Sequence, residues 1–454
     1  MEKIIIIGGG LAGAEAAWQI AQSGLKVILY EMRPTVSTGA HQTEKLAELI
    51  CSNSLGSNLN DRASGVLKNE LRKLNSLLLS IAEETAIPAG AALAVDRELF
   101  SEKISGIIAS HPNIELIREE VKEIPNGLVL IASGPLTSSN LANSINSFFG
   151  QENLFFYDAI SPIVQKDSID FGIAYRASRW DSENPEPTGD YINCPFHDKQ
   201  KYNEFVVELQ NAERIKLQLI EKEIESGVTA GDNKFFEGCL PVEIIASRGQ
   251  KALAYGPMRP VGLADPRIPR KPYAVVQLRQ DNIAGSLFNL VGFQTNLTFS
   301  EQKRVFRLIP GLENAEFVRF GQMHRNTFIC SPRILTRTLQ SKKRPDLFLA
   351  GQITGVEGYM GNIATGLLAG LNMVRYFKGV PLLEFPRESM LGALCHYITH
   401  AEPEAFQPMK ANFGLLPPPN KSKLKINKRD RAIQYSDNSR EYFDEYISKT
   451  VFSE

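Results

Sequence analysis

Four isoleucines, Ile4 to Ile7, run directly into Gly8-Gly9-Gly10-Leu11-Ala12-Gly13, and no other feature narrows the fold as far. The β-branched run is of strand length. Ala14 to Gln22 predicts a helix ended by Gly24, and Val27 to Tyr30 predicts a second strand closing on Glu31. Together these make a βαβ unit. In such a unit one glycine forms the tight turn, the next lets the backbone approach a pyrophosphate, and the third lets helix pack on strand. The helix N-terminus presents free N–H groups and partial positive charge to the phosphates. Glu31 stands where an acid accepts hydrogen bonds from an unphosphorylated adenosine ribose. Gly8, Gly9, Gly10, Leu11, Ala12, Gly13 and Glu31 are therefore the expected cradle of a dinucleotide, FAD or NAD.

The far end of the chain favours FAD. Asp346 to Gln352 reads as a buried strand ending on a small-residue turn, and a helix is expected from about Asn362 to Tyr376. Flavoproteins of the two-part Rossmann type hold ribityl and pyrophosphate with such a late strand, turn and helix, so Gly351, Gln352 and Gly355 join the expected site. Val129 to Pro135, a hydrophobic strand running into Ala132-Ser133-Gly134, adds Gly134. Two ends folding onto one cofactor imply a middle insertion. The expectation is an α/β protein with a Rossmann-type FAD-binding domain and an inserted α+β domain. The expected limits are 1–155 for the first part, 156–315 for the insertion and 316–454 for the second part with a basic C-terminal stretch. Leucines at near-helical spacing from Leu67 to Ala82 predict one core-facing helix, Lys201 to Glu225 predicts charged helix, and Pro417 to Pro419 marks a boundary. No second glycine fingerprint follows a strand, so a nicotinamide donor would lack a Rossmann domain of its own.

Among 454 residues, 43% are hydrophobic and 22% charged, with net charge −1, which excludes a largely disordered chain or a polycation. No apolar run reaches the ~18 residues of a membrane span. The five cysteines form no CxxC pair, which fits a reducing, cytoplasmic setting. No His/Cys/Asp/Glu cluster has ligand spacing, so no metal is expected. Two local basic patches stand out. Arg248, Lys251, Arg259, Arg267, Arg270, Lys271 and Arg279 face one acid, Asp265; Lys421, Lys423, Lys425, Lys428, Arg429 and Arg431 face Asp430 alone. Together they suggest a phosphate-tracking surface.

Several longer stretches carry a resemblance. Glu31 to Pro34, Glu48 to Leu55, Ala92 to Arg97, Phe236 to Pro241, Arg319 to Phe328 and Ala411 to Leu415 are similar to motifs of the folate- and FAD-dependent tRNA (uracil-5-)-methyltransferases, relatives of the GidA flavoproteins. The similarity runs over nearly the whole chain. It departs at Gly361, where many relatives carry glutamate. The resemblance implies transfer of a one-carbon unit from methylenetetrahydrofolate to C5 of the T-loop uridine of tRNA, with NADH or NADPH as reductant through FAD. It adds Arg33 to the cofactor residues. Uracil C5 is a poor nucleophile; a thiolate adding at C6 makes it enolate-like, and a second group must then remove the C5 proton. The resemblance implies Cys239 for the addition and Cys51 for proton removal, while the residues themselves leave the two roles exchangeable. His324 and His396 are further proton-transfer candidates; Cys194, Cys330 and Cys395 read as structural. A ribosomal-RNA enzyme, a flavin oxidoreductase of a small metabolite, and a non-catalytic RNA-binding flavoprotein remain open alternatives.

Overall fold

A computed structural model describes the chain except residues 1–2, 39, 152–153, 182–187, 216–239, 266, 269, 419–426 and 451–454. Ile4–Ile7 is the middle of a five-stranded parallel sheet in the order 347–349, 129–131, 4–7, 27–30, 114–117. The chain thus returns after some 200 residues to lay Leu347–Leu349 beside Val129–Ile131. The first and last thirds build one sheet and share one hydrophobic core.

Between them lies a six-stranded antiparallel sheet in the order 175–176, 191–196, 274–280, 287–290, 163–165, 317–319. Its core, from Val164 to Ala315, is a separate cluster flanked by the helices Lys199–Asn211, Val242–Ser247 and Phe299–Phe306. Leu154–Ala159 and Met323–Phe328 pair antiparallel where the chain passes between the two sheets. The architecture is α/β of Rossmann type with an α+β insertion.

Local chemistry corrects several expected limits. The first helix is Leu11–Gln22, beginning directly after Gly10, and the late helix is Tyr359–Phe377. Both therefore start three residues early, against the glycine turns. The expected helix from Leu67 to Ala82 is two helices, Ala63–Lys73 and Leu77–Glu84. Asn75 takes a left-handed φ of +56° between them, and the Ser76 side chain accepts from the Leu79 N–H. A residue in that conformation ends one helix, and a serine cap starts the next. The charged helix ends at Asn211; what was expected beyond 215 lies outside the described residues.

The Leu11–Gln22 and Tyr359–Phe377 helices cross closely. A Cβ on Gly366 would lie 2.3 Å from the Ala12 carbonyl oxygen, and one on Gly370 would lie 3.0 Å from Ala16 Cα. Small residues on both faces bring the backbones together, which sets both helix N-termini at one end of the parallel sheet. Among the described residues no helix is long and apolar enough to cross a membrane, and no His/Cys/Asp/Glu group could hold a metal ion.

Candidate active site

A cleft opens at that end of the sheet. Of the expected residues, Gly8, Gly10, Leu11, Ala12, Glu31, Arg33, Gly134, Gly351 and Gln352 line it. Gly10 is the N-cap of the first helix, in extended backbone with no side-chain cap, and a Cβ on it would meet nothing within 4 Å. Gly358 caps the late helix in the same uncapped way, and Tyr359 and Asn362 of its first turn line the cleft. Ser76, Asp96, Ser138 and Ser389 by contrast cap their helices with side-chain oxygens. Two helix N-termini with free N–H groups thus face one space, as an anionic or polar ligand requires.

The remaining expected residues are structural neighbours. A Cβ on Gly13 would fall 1.8 Å from the Gly8 carbonyl oxygen, so this glycine lets helix and strand meet. Gly9 packs under Leu46 and Glu31, and Gly355 turns against the Phe406 ring; neither lines the cleft. Gly361 faces Val356 inside the helix's first turn, away from the cleft lining.

Glu31 is buried at the cleft floor. One carboxylate oxygen accepts from Gly9 N at 3.0 Å, and the other from Arg33 N at 3.0 Å and Arg33 Nε at 2.9 Å. Burial opposes its charge, but Arg33 and the two backbone donors outweigh burial and hold the carboxyl below its usual range. Arg33 also reaches Glu48 at 3.0 Å and the Thr43 carbonyl, so it fixes the acid that the sequence assigned to the ribose. Asn362 Oδ1 is buried, faces the cleft and has no hydrogen-bond partner. An orphaned acceptor between two free helix ends fits a bound polar group. His41, which the sequence reading passed over, also lines the cleft; burial first, then Arg33, holds its pKa down to about 4, so it stays neutral.

Ile50 leads from the cleft into the loop that carries Cys51. This loop is clamped from every side. The Tyr359 hydroxyl oxygen accepts from Cys51 N at 3.0 Å and Ser52 N at 3.1 Å. Arg97 donates to the carbonyls of Leu49 and Ile50 and to Asp281 at 3.0 Å. Arg279 donates to Asn53 Oδ1 at 2.9 Å and Ser52 Oγ at 2.8 Å. Arg319 reaches the Ile50 carbonyl at 3.2 Å. Cys51 itself is half-buried. Arg97 and Arg319 stood in the quoted motifs, and that was the available signal for the clamp.

Other expectations need correction. Arg279 is 8% exposed, so it belongs to the clamp and not to a surface patch. Arg267 grips Asp265 through three hydrogen bonds, one of them from its backbone N–H, and donates to the Phe171 and Ile173 carbonyls, so it too is committed. His396 lies outside the cleft lining and stacks on His400 at 4.3 Å; burial first, then His400, lowers its pKa to about 4. His324 sits opposite Asp158 in the strand pair. Cys194 and Cys395 are buried, and burial pushes both thiols up. Cys239 and Lys421, Lys423 and Lys425 lie outside the described residues.

Residues 3–381 match the model of the family described as glucose inhibited division protein A. A methylenetetrahydrofolate–tRNA-(uracil-5-)-methyltransferase TrmFO of Enterococcus faecalis is 56% identical over 92% of each chain. That of Natranaerobius thermophilus is 52% identical over 99% of this chain and all of its own. Among solved structures, Aquifex aeolicus GidA is similar with a TM-score of 0.66 at 18% identity, over 97% of this chain and 73% of that one, a likeness of fold. The chain belongs to the TrmFO family of methylenetetrahydrofolate–tRNA-(uracil-5-)-methyltransferases, within the wider glucose inhibited division protein A family.

Proposed function

We propose that the protein methylates C5 of the T-loop uridine of tRNA, with methylenetetrahydrofolate as carbon donor, FAD as bound cofactor and NADH or NADPH as reductant. The observation that carries this reading is the cleft between two uncapped helix N-termini with the Cys51 loop at its edge. FAD, when bound, supplies the electron transfer that side chains cannot perform.

The chain's own residues do the rest. Free N–H groups after Gly10 bind the pyrophosphate, and the open space at Gly10 lets it approach. Glu31, already oriented by Arg33 and Gly9 N, offers its remaining lone pairs to the ribose. Asn362 Oδ1 and the first turn of the late helix would hold a polar part of FAD. Tyr359 and the three arginines fix the backbone on either side of Cys51, so the thiol is presented from a rigid loop. Cys51 takes the proton from C5, and Cys239 adds to C6; the quoted motifs support both assignments. Residues 1–155 and 316–454 form the cofactor unit and 156–315 the insertion, with the limit moved past Arg319, because strand 317–319 belongs to the inserted sheet.

Mass spectrometry of nucleosides tests it. Transfer-RNA incubated with protein, labelled methylenetetrahydrofolate and NADH or NADPH should yield labelled 5-methyluridine from the T-loop. Unlabelled tRNA with either reductant would overturn the reading, and label in ribosomal RNA instead would reassign the substrate.

A further inference from the structure

The inserted unit carries a stripe of cations and exposed rings that the chemistry above leaves unused. Trp180, one of two tryptophans, is 51% exposed. Its φ is +70°, a left-handed conformation uncommon for a bulky residue. Its backbone N–H donates to the Gly262 carbonyl at 2.7 Å, and its indole lies so close to Gly262 that a Cβ there would fall 2.8 Å from the ring. The half-exposed ring is thus packed against Gly262. Arg179 donates to the carbonyls of Val261 and Arg259, which joins Trp180 to a hollow lined by Lys199, Lys251, Tyr255, Arg259 and Tyr273. Tyr255 is 77% exposed, and Lys199 Nζ stands 6.0 Å from the centre of the Tyr273 ring.

Among the described residues, Arg179, Lys199, Lys251 and Arg259 pair with no carboxylate. Nearby Asp265 is taken by Arg267, and Asp181 by the N–H groups of Ser178, Thr188 and Gly189. The stripe also leads inward. Tyr191 pairs with Arg279 across neighbouring strands, and Arg279 holds Ser52 and Asn53 beside Cys51.

We propose that this stripe binds the RNA substrate, its cations tracking phosphates while Trp180 and Tyr255 stack on bases lying outside the helical stack. The inference rests on tRNA being the substrate. It assigns the surface that holds the elbow of the molecule while the target uridine is drawn to the Cys51 loop.

Fluorescence of the holoenzyme tests it directly. Trp18 is partly buried against His111, so a Trp18→Phe protein reports on Trp180 alone. Added tRNA should quench that emission along the same curve as binding. Trp180→Ala and Tyr255→Ala should each weaken tRNA binding about tenfold and raise the KM for tRNA by the same factor, with flavin content and melting temperature retained. Trp180→Phe should recover most of the affinity. The pair Lys199→Gln and Lys251→Gln should reduce the slope of log affinity against log salt by about 1.5. If wild-type protein binds and methylates tRNA but shows no quench, and these variants bind as wild type does, the stripe is not the RNA surface. Unchanged tRNA affinity with lost self-association in Trp180→Ala would assign the face to a protein contact and overturn the proposal. Failure of wild-type protein to bind or methylate tRNA would remove the substrate reading, and this inference with it.

Discussion

Gly10→Val separates the cofactor argument from the folding argument. Gly10 has φ −72° and ψ −168°, backbone that valine adopts without strain, and its added Cβ would meet no atom within 4 Å. The cost to the fold is the small N-cap preference of glycine over valine, less than about 1 kcal/mol. The isopropyl group would instead stand in the cleft, between a pyrophosphate and the N–H groups of the first turn. The first intrahelical bond from this end is Ala14 N to the Gly10 carbonyl, so the preceding N–H groups depend on a ligand. Losing two charge-assisted hydrogen bonds at ~1.5–3 kcal/mol each weakens flavin binding by about 3–6 kcal/mol, roughly 10²- to 10⁴-fold. The assay is flavin absorbance per protein after purification, followed by reconstitution with FAD and a melting curve. Gly10→Val should purify colourless with a near wild-type melting temperature. Gly13→Ala should behave in the opposite sense, because its Cβ would fall 1.8 Å from the Gly8 carbonyl oxygen and force helix from strand. Wild-type flavin content in folded Gly10→Val would refute the placement of the phosphates.

Three further outcomes follow from the same geometry. Tyr359→Phe removes the acceptor of two backbone N–H groups, so hydrogen exchange at Cys51 and Ser52 should accelerate about 10- to 100-fold, and unchanged exchange would refute the clamp. With 5-fluorouridine tRNA, wild-type protein should form a covalent adduct on gel electrophoresis and Cys239→Ala none, while Cys51→Ala forms some adduct without turnover; the reverse pattern exchanges the two thiols' roles. Burial pushes Glu70 up to about 7 despite hydrogen bonds from the Met390 and Leu391 N–H groups. The folded state then keeps a proton that the unfolded chain loses near its ordinary 4.5, so stability falls as pH rises from about 4.5 to 7, by up to ~3 kcal/mol. Melting curves across that range should show the decline and Glu70→Gln should flatten it; an unaltered slope in the variant would dismiss Glu70 as its source.

The parts of the fold legible in the sequence are those where one residue type is locally obligatory. Gly13 admits no Cβ at all, and Ile4 to Ile7 with Val27 to Tyr30 have little alternative to buried strand. The late turn at Gly351 was readable for the same reason. The break at Asn75 was hidden because leucines keep helical spacing straight through it, and only the left-handed asparagine with its serine cap interrupts them. The clamp was hidden more deeply. Arg97 meets Asp281 across 184 positions, and a charge count cannot tell buried Arg279 from exposed Arg259. Sequence spacing reports periodicity within an element; it is silent on which elements share a seam.

That seam explains why Cys51 sits where it does. The 54–57, 86–87 and 92–95 strands belong to the cofactor-side core, whereas Arg279 and Asp281 come from the inserted sheet. Asn53 Nδ2 donates to the carbonyls of both Val95 and Gln280, and Asp96 accepts from Ile283 N, so the loop is the joint between the two units. Two buried guanidiniums meet there with one carboxylate, Asp281, and Arg279 itself bonds only neutral oxygens among its described partners. Burial accordingly lowers the pKa of Arg279, the opposite of what a paired arginine shows. A cation left among neutral partners in a dry joint is expensive to bury unless an anion completes it. Cys51 lies between the residues that the two guanidiniums hold, Ile50 by Arg97 and Ser52 by Arg279. The joint therefore carries an excess of positive charge beside the Cys51 loop.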